Sequence, residues 1–192
     1  PMKSWGERII PGENIKDLGV PSEGVRPGRG WTPIPGNGYG FIHDLKGGEP
    51  TGAWSATWSM VDMSITRLRL TMLPQGGAQQ VYRGVGPDLS GKSKYAWAVA
   101  RREAEAPLES RFVSVIQAYG VRPTVSEIIE LTHRKGHSQS AALRLELRTE
   151  GRVDYVLSNP EPELQLVATD GDHELATDAM FALVRVMGDE LI

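Results

Sequence analysis

Between Trp54 and Tyr119, apolar residues alternate with Arg, Thr and Ser across four segments, each ending at Gly, Pro or a charged turn. Successive side chains on a strand point to opposite faces, so a period of two over short, turn-bounded segments is the pattern of an antiparallel sheet. Within 64–72, Leu68, Leu70 and Met72 fall on one side while Arg67, Arg69 and Thr71 fall on the other, which predicts one apolar and one basic face. Residues 95–102 repeat the theme. Tyr95, Trp97, Val99 and Arg101 share one face, and Ala96, Ala98, Ala100 and Arg102 share the other. The run 110–119 (SRFVSVIQAY) is apolar on both faces and is expected to be a central strand buried on both sides.

The same reading carried along the chain predicts strands at 39–45, 54–61, 64–73, 79–83, 95–102, 110–119, 124–132, 139–148, 152–158, 164–169 and 180–186. Turns such as Pro74-Gln75-Gly76-Gly77, Glu150-Gly151 and Asp170-Gly171 separate them, because these residue types tolerate turn conformations. Helical periodicity is nearly absent. About eleven short strands, with 22 Gly and 13 Pro among 192 residues to supply turns, predict an all-β chain folded as a large antiparallel β-sandwich. Residues 1–38 are rich in Gly and Pro and read as an extended arm with Trp5, Ile9, Ile10 and Trp31 as anchors. The sandwich domain is expected over 39–192, with no linker composition dividing it. The Pro1-Met2 start looks like the remnant of a cleaved tag, and the ending after Met187 suits a cut at a turn. The chain is therefore expected to be a segment of something longer.

Composition excludes several functions. The formal charge of −3 argues against a generic nucleic-acid binder, which usually carries a basic domain. No apolar run approaches the ~20 residues that span a bilayer as a helix. With no cysteine there is neither a disulfide framework nor thiolate chemistry. No Walker loop, dinucleotide fingerprint, HExxH motif or nucleophile elbow occurs.

The order of several pieces resembles the C-terminal β-sandwich region of heparinase II/III-like polysaccharide lyases. The matching pieces are Tyr39-Gly40-Phe41-Ile42-His43-Asp44, Trp54 with Trp58, Arg67-Leu68-Arg69-Leu70, Gly84-Val85-Gly86-Pro87, the stretch Trp97 to Arg102, Phe112 to Ile116, and Gly151 to Leu157. The resemblance covers about residues 39–187. It implies a secreted or periplasmic bacterial enzyme that cleaves uronic-acid polysaccharides by β-elimination, built from an α/α toroid followed by β-sandwich layers. The toroid, which carries the family's catalytic Tyr and most of its His and Asn residues, is missing from this segment. The family's metal-site pattern has no counterpart either, beyond an echo at His43-Asp44. The resemblance therefore implies a non-catalytic piece whose partners are an acidic polysaccharide, such as a glycosaminoglycan or alginate, and the toroid of the parent enzyme.

Candidate binding residues follow from the chemistry of such a glycan. Trp54 and Trp58 lie on one face of a strand, about 13 Å apart at ~3.3 Å per residue. Indoles at that spacing could stack on sugar rings a few units apart, or simply fill a core, where aromatics bury large area. Tyr82 and Trp97 offer further aromatic faces. Arg67, Arg69, Arg83, Arg101 and Arg102, with Arg144 and Arg148 farther on, could pair with carboxylate or sulfate through guanidinium forks. Each could equally be a solvated arginine paired with Glu103, Glu105, Glu127, Glu130 or Glu146. No cofactor is expected. Asp170 and Asp172, in Asp170-Gly171-Asp172-His173, could ligate calcium or form an ordinary hairpin turn. The histidines are scattered, with His133 and His137 flanking a turn expected at Arg134-Lys135-Gly136, and none has the neighbouring partner that acid–base catalysis requires.

Overall fold

The computed structural model describes residues 5–10, 43–48, 50, 52–60, 66–74, 79–87, 94–102, 105–149, 151–188 and 190–191. Among these there are strands and no helix, so the all-β antiparallel reading holds. No helix among the described residues is long and apolar enough to cross a membrane. The chain packs as two compact units, Pro1–Val121 and Arg122–Ile192. The boundary falls in a short bend between Gly120 and Pro123. Of the Gly/Pro-rich arm, the described part is Trp5–Ile10, a strand; the remainder of the arm lies outside the described residues.

The first unit contains β1 (Trp5–Ile10), β2 (His43–Gly48), β3 (Trp54–Met60), β4 (Arg67–Met72), β5 (Gln79–Pro87), β6 (Lys94–Arg102) and β7 (Ser114–Tyr119). They form a four-stranded sheet in the order β1-β3-β4-β7 and a three-stranded sheet in the order β2-β5-β6. Period two decides which side chains meet. Trp54, Ala56 and Met72 of the larger sheet close on Val81 of the smaller, with Trp58, Leu70, Ala98 and Ala100 packed around them. Small alanines on β6 leave the volume that the two indoles fill, as close packing requires. The Trp58 indole Nε1–H donates to the Ala96 carbonyl at 2.9 Å, tying β3 to the opposite sheet.

The stretch 110–119 departs from expectation. Among the described residues β7 is last in the strand order of its sheet, and Ile116, on the same face as Leu70 by register, is 64% exposed. A strand apolar on both faces can be buried in the middle of a sheet or stand at its margin; the width of the facing sheet decides, and period two carries no information about it.

The second unit contains β8 (Val125–Glu130), β9 (Thr132–Lys135), β10 (Ala141–Leu147), β11 (Arg152–Ser158), β12 (Leu166–Asp170), β13 (His173–Thr177), β14 (Phe181–Met187) and β15 (Glu190–Leu191). The sheets run β15-β14-β11-β10-β8 and β13-β12-β9. The expected strand 124–132 is thus two strands in two sheets, with the corner at buried Leu131, whose N–H donates to Ala142 O at 2.8 Å. Sandwich corners arise where a strand bends from one layer into the other. The core is aliphatic: Leu131, Ala142, Leu157, Leu166 and Ala168, with Tyr155. Arg134 and Lys135 are strand residues of β9 and not a turn; the chain reverses after them at Gly136, where φ is +134 and an added Cβ would sit 3.0 Å from Leu166 Cδ1. Only glycine fits that combination of dihedral and contact.

Candidate functional site

The nine candidate binding residues lie in four different environments, and the sandwich geometry of the first unit explains why. Trp54, 2% exposed, and Trp58 belong to the core. Trp54 is enclosed, and Trp58 is half-buried against the same cluster, so the packing favours the core reading for Trp54 in full and for Trp58 in part. Arg67 and Arg69 lie on the outer face of the four-stranded sheet, opposite the side of Leu70 and Met72. Arg67 is exposed, whereas Arg69 donates through Nη2 to Ser55 Oγ at 3.2 Å, over a surface where Ser55 and Thr57 are themselves buried. Arg83 and Arg102 fall on the inner side of the three-stranded sheet, in register with Ala98 and Gln79 respectively. Arg102 Nη1 donates to the Glu109 carbonyl at 3.3 Å.

The remaining three come together. Val81 and Ala100 form a core-facing pair; the neighbouring pairs Gln80↔Arg101, Tyr82↔Val99 and Gly84↔Trp97 therefore all point outward. The outward face of β2-β5-β6 carries Tyr82 and Trp97 as diagonal neighbours, roughly 7–8 Å apart along the backbone grid, with Arg101 farther along β6. Gly47 of β2 stands opposite Tyr82 and Gly84 opposite Trp97. Tyr82 thus has Val99 beside it on β6 and a glycine beside it on β2, while Trp97 has a glycine beside it on β5. Gln80, absent from the sequence-level set, organises the polar end. Its Oε1 accepts from Tyr82 OH at 2.9 Å and from Arg101 Nη1 at 3.4 Å. Gln80 was legible in principle: it is two residues from Tyr82 and so shares its face.

Chemically this face carries two half-buried aromatic side chains, with the Trp97 indole nitrogen and Gly84 themselves buried, and a cationic end at Arg101. Neither β5 nor β6 contains Asp, Glu or His, so those strands bring no general acid or base to it. His43 and Asp44 lie in β2, with side chains outside the described set.

The second unit holds two charged clusters of a different kind. Asp154 is buried on the outer face of the five-stranded sheet, accepting from Arg152 Nε at 2.9 Å and from Arg185 Nε at 3.0 Å. The hydrogen bonds from Arg152, then those from Arg185, hold its carboxyl down at about 2 against the opposing effect of desolvation. At the core-facing end of β10 and β11, Tyr155 OH donates to Asp170 Oδ2 at 2.7 Å. Arg144 Nε lies 3.1 Å from the same oxygen, with its Nη2 2.6 Å from Glu146 Oε1. Burial, then the bond to Asp170, pushes the Tyr155 phenol up. Asp170 is thus engaged by a phenol and a guanidinium, and no group of three His, Asp or Glu side chains gathers among the described residues. Arg148 is exposed and donates from Nε to Pro123 O at 3.1 Å. His133 lies half-buried within β9 and His173 is exposed, while His137 Nε2 lies 3.3 Å from Glu161 Oε1. On the outer face of the five-stranded sheet, Phe181 and Leu183 of β14 are 62% and 53% exposed.

Comparison with protein-family models, with curated proteins and with solved structures returns no match to this chain.

Proposed function

We propose that this chain is a non-catalytic carbohydrate-binding β-sandwich that holds an acidic polysaccharide, of the glycosaminoglycan or alginate type, on the outward face of β2-β5-β6. One observation carries the reading: Tyr82, Trp97, Gln80 and Arg101 share that face, with glycine opposite each aromatic. Pyranose rings present flat C–H surfaces that pack on aromatic faces, and Arg101 supplies a cation for carboxylate or sulfate. The resemblance to the sandwich region of heparinase II/III-like lyases supports the same substrate class and a secreted or periplasmic setting. Binding that relies on exposed Arg101 is of modest affinity and weakens with salt, because exposed charges are screened within ~10 Å at 0.1 M ionic strength. Isothermal titration with alginate, a glycosaminoglycan and a neutral glucan tests it. The expected result is binding to an acidic chain at low salt, lost in Trp97→Ala and weakened in Arg101→Ala. No heat with any acidic chain overturns the reading.

A second reading is favoured by exposed Met180, Phe181 and Leu183: a structural C-terminal domain that packs on the toroid of a heparinase II/III-like parent. An apolar strip of this kind commonly marks a protein contact. In a chain joined to that toroid, hydrogen exchange at 180–184 would slow markedly; unchanged exchange removes this reading.

A further inference from the structure

We propose that the outer face of the five-stranded sheet in the second unit receives a protein partner that sets a carboxylate on the paired guanidiniums of Arg152 and Arg185 and lays apolar side chains along Met180, Phe181 and Leu183. This deepens the second reading above, from which it takes a protein contact at the strip, by giving the chemistry of the partner. Its centre is an arrangement of three charges. Asp154 of β11 is 6% exposed and takes two guanidiniums at once. Nε of Arg152 and Nε of Arg185 both donate to its Oδ1, at 2.9 and 3.0 Å, and both Nη2 groups donate to its Oδ2. One carboxylate thus faces two cations, and the centre of the face keeps an excess positive charge. A guanidinium carries five N–H donors, and among the described residues both of these are engaged through Nε and Nη2 alone. The side chains of Arg152 and Arg185 are 27% and 35% exposed against 9% for that of Asp154, so the carboxylate lies beneath and the two forks reach the surface.

The register brings the apolar part to the same place. Phe181, Leu183 and Arg185 of β14 stand opposite Ser158, Val156 and Asp154 of β11, all on one face because side chains alternate along a strand. Met180, Phe181 and Leu183 are 66%, 62% and 53% exposed, and Leu183 stands roughly 7 Å from Arg185 at ~3.3 Å per residue. A partner residue paired with the guanidiniums therefore brings its own neighbours over Leu183 and Phe181. The other carboxylates of the face, Glu130 across from Leu143 and Glu190 across from Met187, stand on its outermost strands β8 and β15, and neither falls between Phe181 and Arg185. Charge complementarity commits the partner to an acidic group at the arginine pair, which then holds two carboxylates on two guanidiniums, each bond charge-assisted. The strip commits it to protein. Two of its three side chains have no ring for a sugar to stack on, whereas Met, Phe and Arg are residue types that protein interfaces concentrate. Guanidiniums already held by Asp154 lose little freedom on binding, and such preorganisation lowers the cost of association.

The probe is the peptide acetyl-Phe-Glu-Leu-amide, titrated into the whole isotope-labelled chain and followed by NMR at the arginine Nε–Hε signals and the backbone amides of β14. Saturable shifts are expected at Arg152, Arg185 and residues 181–185 with millimolar peptide, at least ~10-fold weaker for the peptide with Gln in place of Glu and for the Arg185→Gln variant. The Gln peptide acts on the unaltered protein, so that arm does not depend on how the variant folds. No shift at these residues up to ~10 mM peptide overturns the proposal, and so does equal binding of the Glu and Gln peptides. An alginate oligosaccharide that moves these signals where the peptide does not overturns it in favour of a glycan. Exchange at 180–184 that slows against the toroid without any peptide shift leaves the second reading standing and removes this one, whereas peptide shifts with unchanged exchange remove the toroid and keep the carboxylate site.

Discussion

The two units are both two-layered antiparallel sandwiches, yet they settle their buried polar groups in opposite ways. In the second unit each charged or polar side chain that enters the interior meets partners: Asp154 is held by two guanidiniums, and Asn159 accepts from Ser140 Oγ at 3.2 Å and donates to Leu164 O at 3.1 Å. In the first unit the buried Trp54 Nε1, Arg69 Nε, Gln79 Nε2 and Arg102 Nε meet no hydrogen-bond acceptor. An unsatisfied buried donor costs about 1–3 kcal/mol, and native structures keep such groups where something other than stability is being served.

The largest expected effect tests whether the two cores are separate. Trp54→Ala removes an indole around which the first core is packed and should cost about 3–5 kcal/mol. In denaturant unfolding it should shift the transition of its own unit and leave that of the other in place. Leu157→Ala should do the reverse at ~2–5 kcal/mol. A single transition moved equally by both would dissolve the comparison.

Next in size is Asp154→Ala, which leaves Arg152 and Arg185 facing each other without their shared carboxylate. Removing one partner of a buried pair costs about 3–5 kcal/mol; with both guanidiniums partly in water, roughly 2–3 is expected here, read as a lowered midpoint of the second unit. A smaller effect is reached without mutation. Because the Asp154 carboxyl is held at about 2 in the folded chain, below its unfolded value, its contribution is fully present above pH ~4. That contribution falls away as pH drops toward 2, and amounts to about 1–2 kcal/mol after allowing for solvent screening. Acid should therefore weaken the second unit in the wild type, and this component should be absent in Asp154→Asn. At the bottom of the range, breaking the exposed Arg134–Glu174 pair with Glu174→Ala should change stability by no more than ~0.5 kcal/mol. A larger loss would mean that β9 and β13 are held together by more than backbone pairing.

Much of this was legible in the residues alone. Each of the eleven expected strands has a counterpart, because period-two alternation and turn residues are local properties of the chain. The pairing of Trp97 with Arg101 on one face followed from the same arithmetic. Arg83, Arg102 and Trp54 were not separable from the true surface residues in that way. Parity says which residues share a face; it does not say which of the two faces turns inward. β1, β9, β13 and β15 were missed: β1 lies in a stretch read as an arm and β15 in one read as a cut end, while half of β9 and the start of β13 were read as turns. The exposed position of β7 was missed because an apolar run looks the same in a centre and at a margin.

What the sequence by itself determined is the element type, the order of the strands and the grouping of side chains into faces, since these depend on neighbours a few positions apart. Only the tertiary structure decided that the strands divide into two sandwiches, that Trp54 and Trp58 face a core while Tyr82 and Trp97 face outward, and that β7 stands at an edge. Those outcomes depend on which sheet covers which. That is set by contacts between residues far apart in the chain, where the free energy of burying one face against another outweighs any local preference.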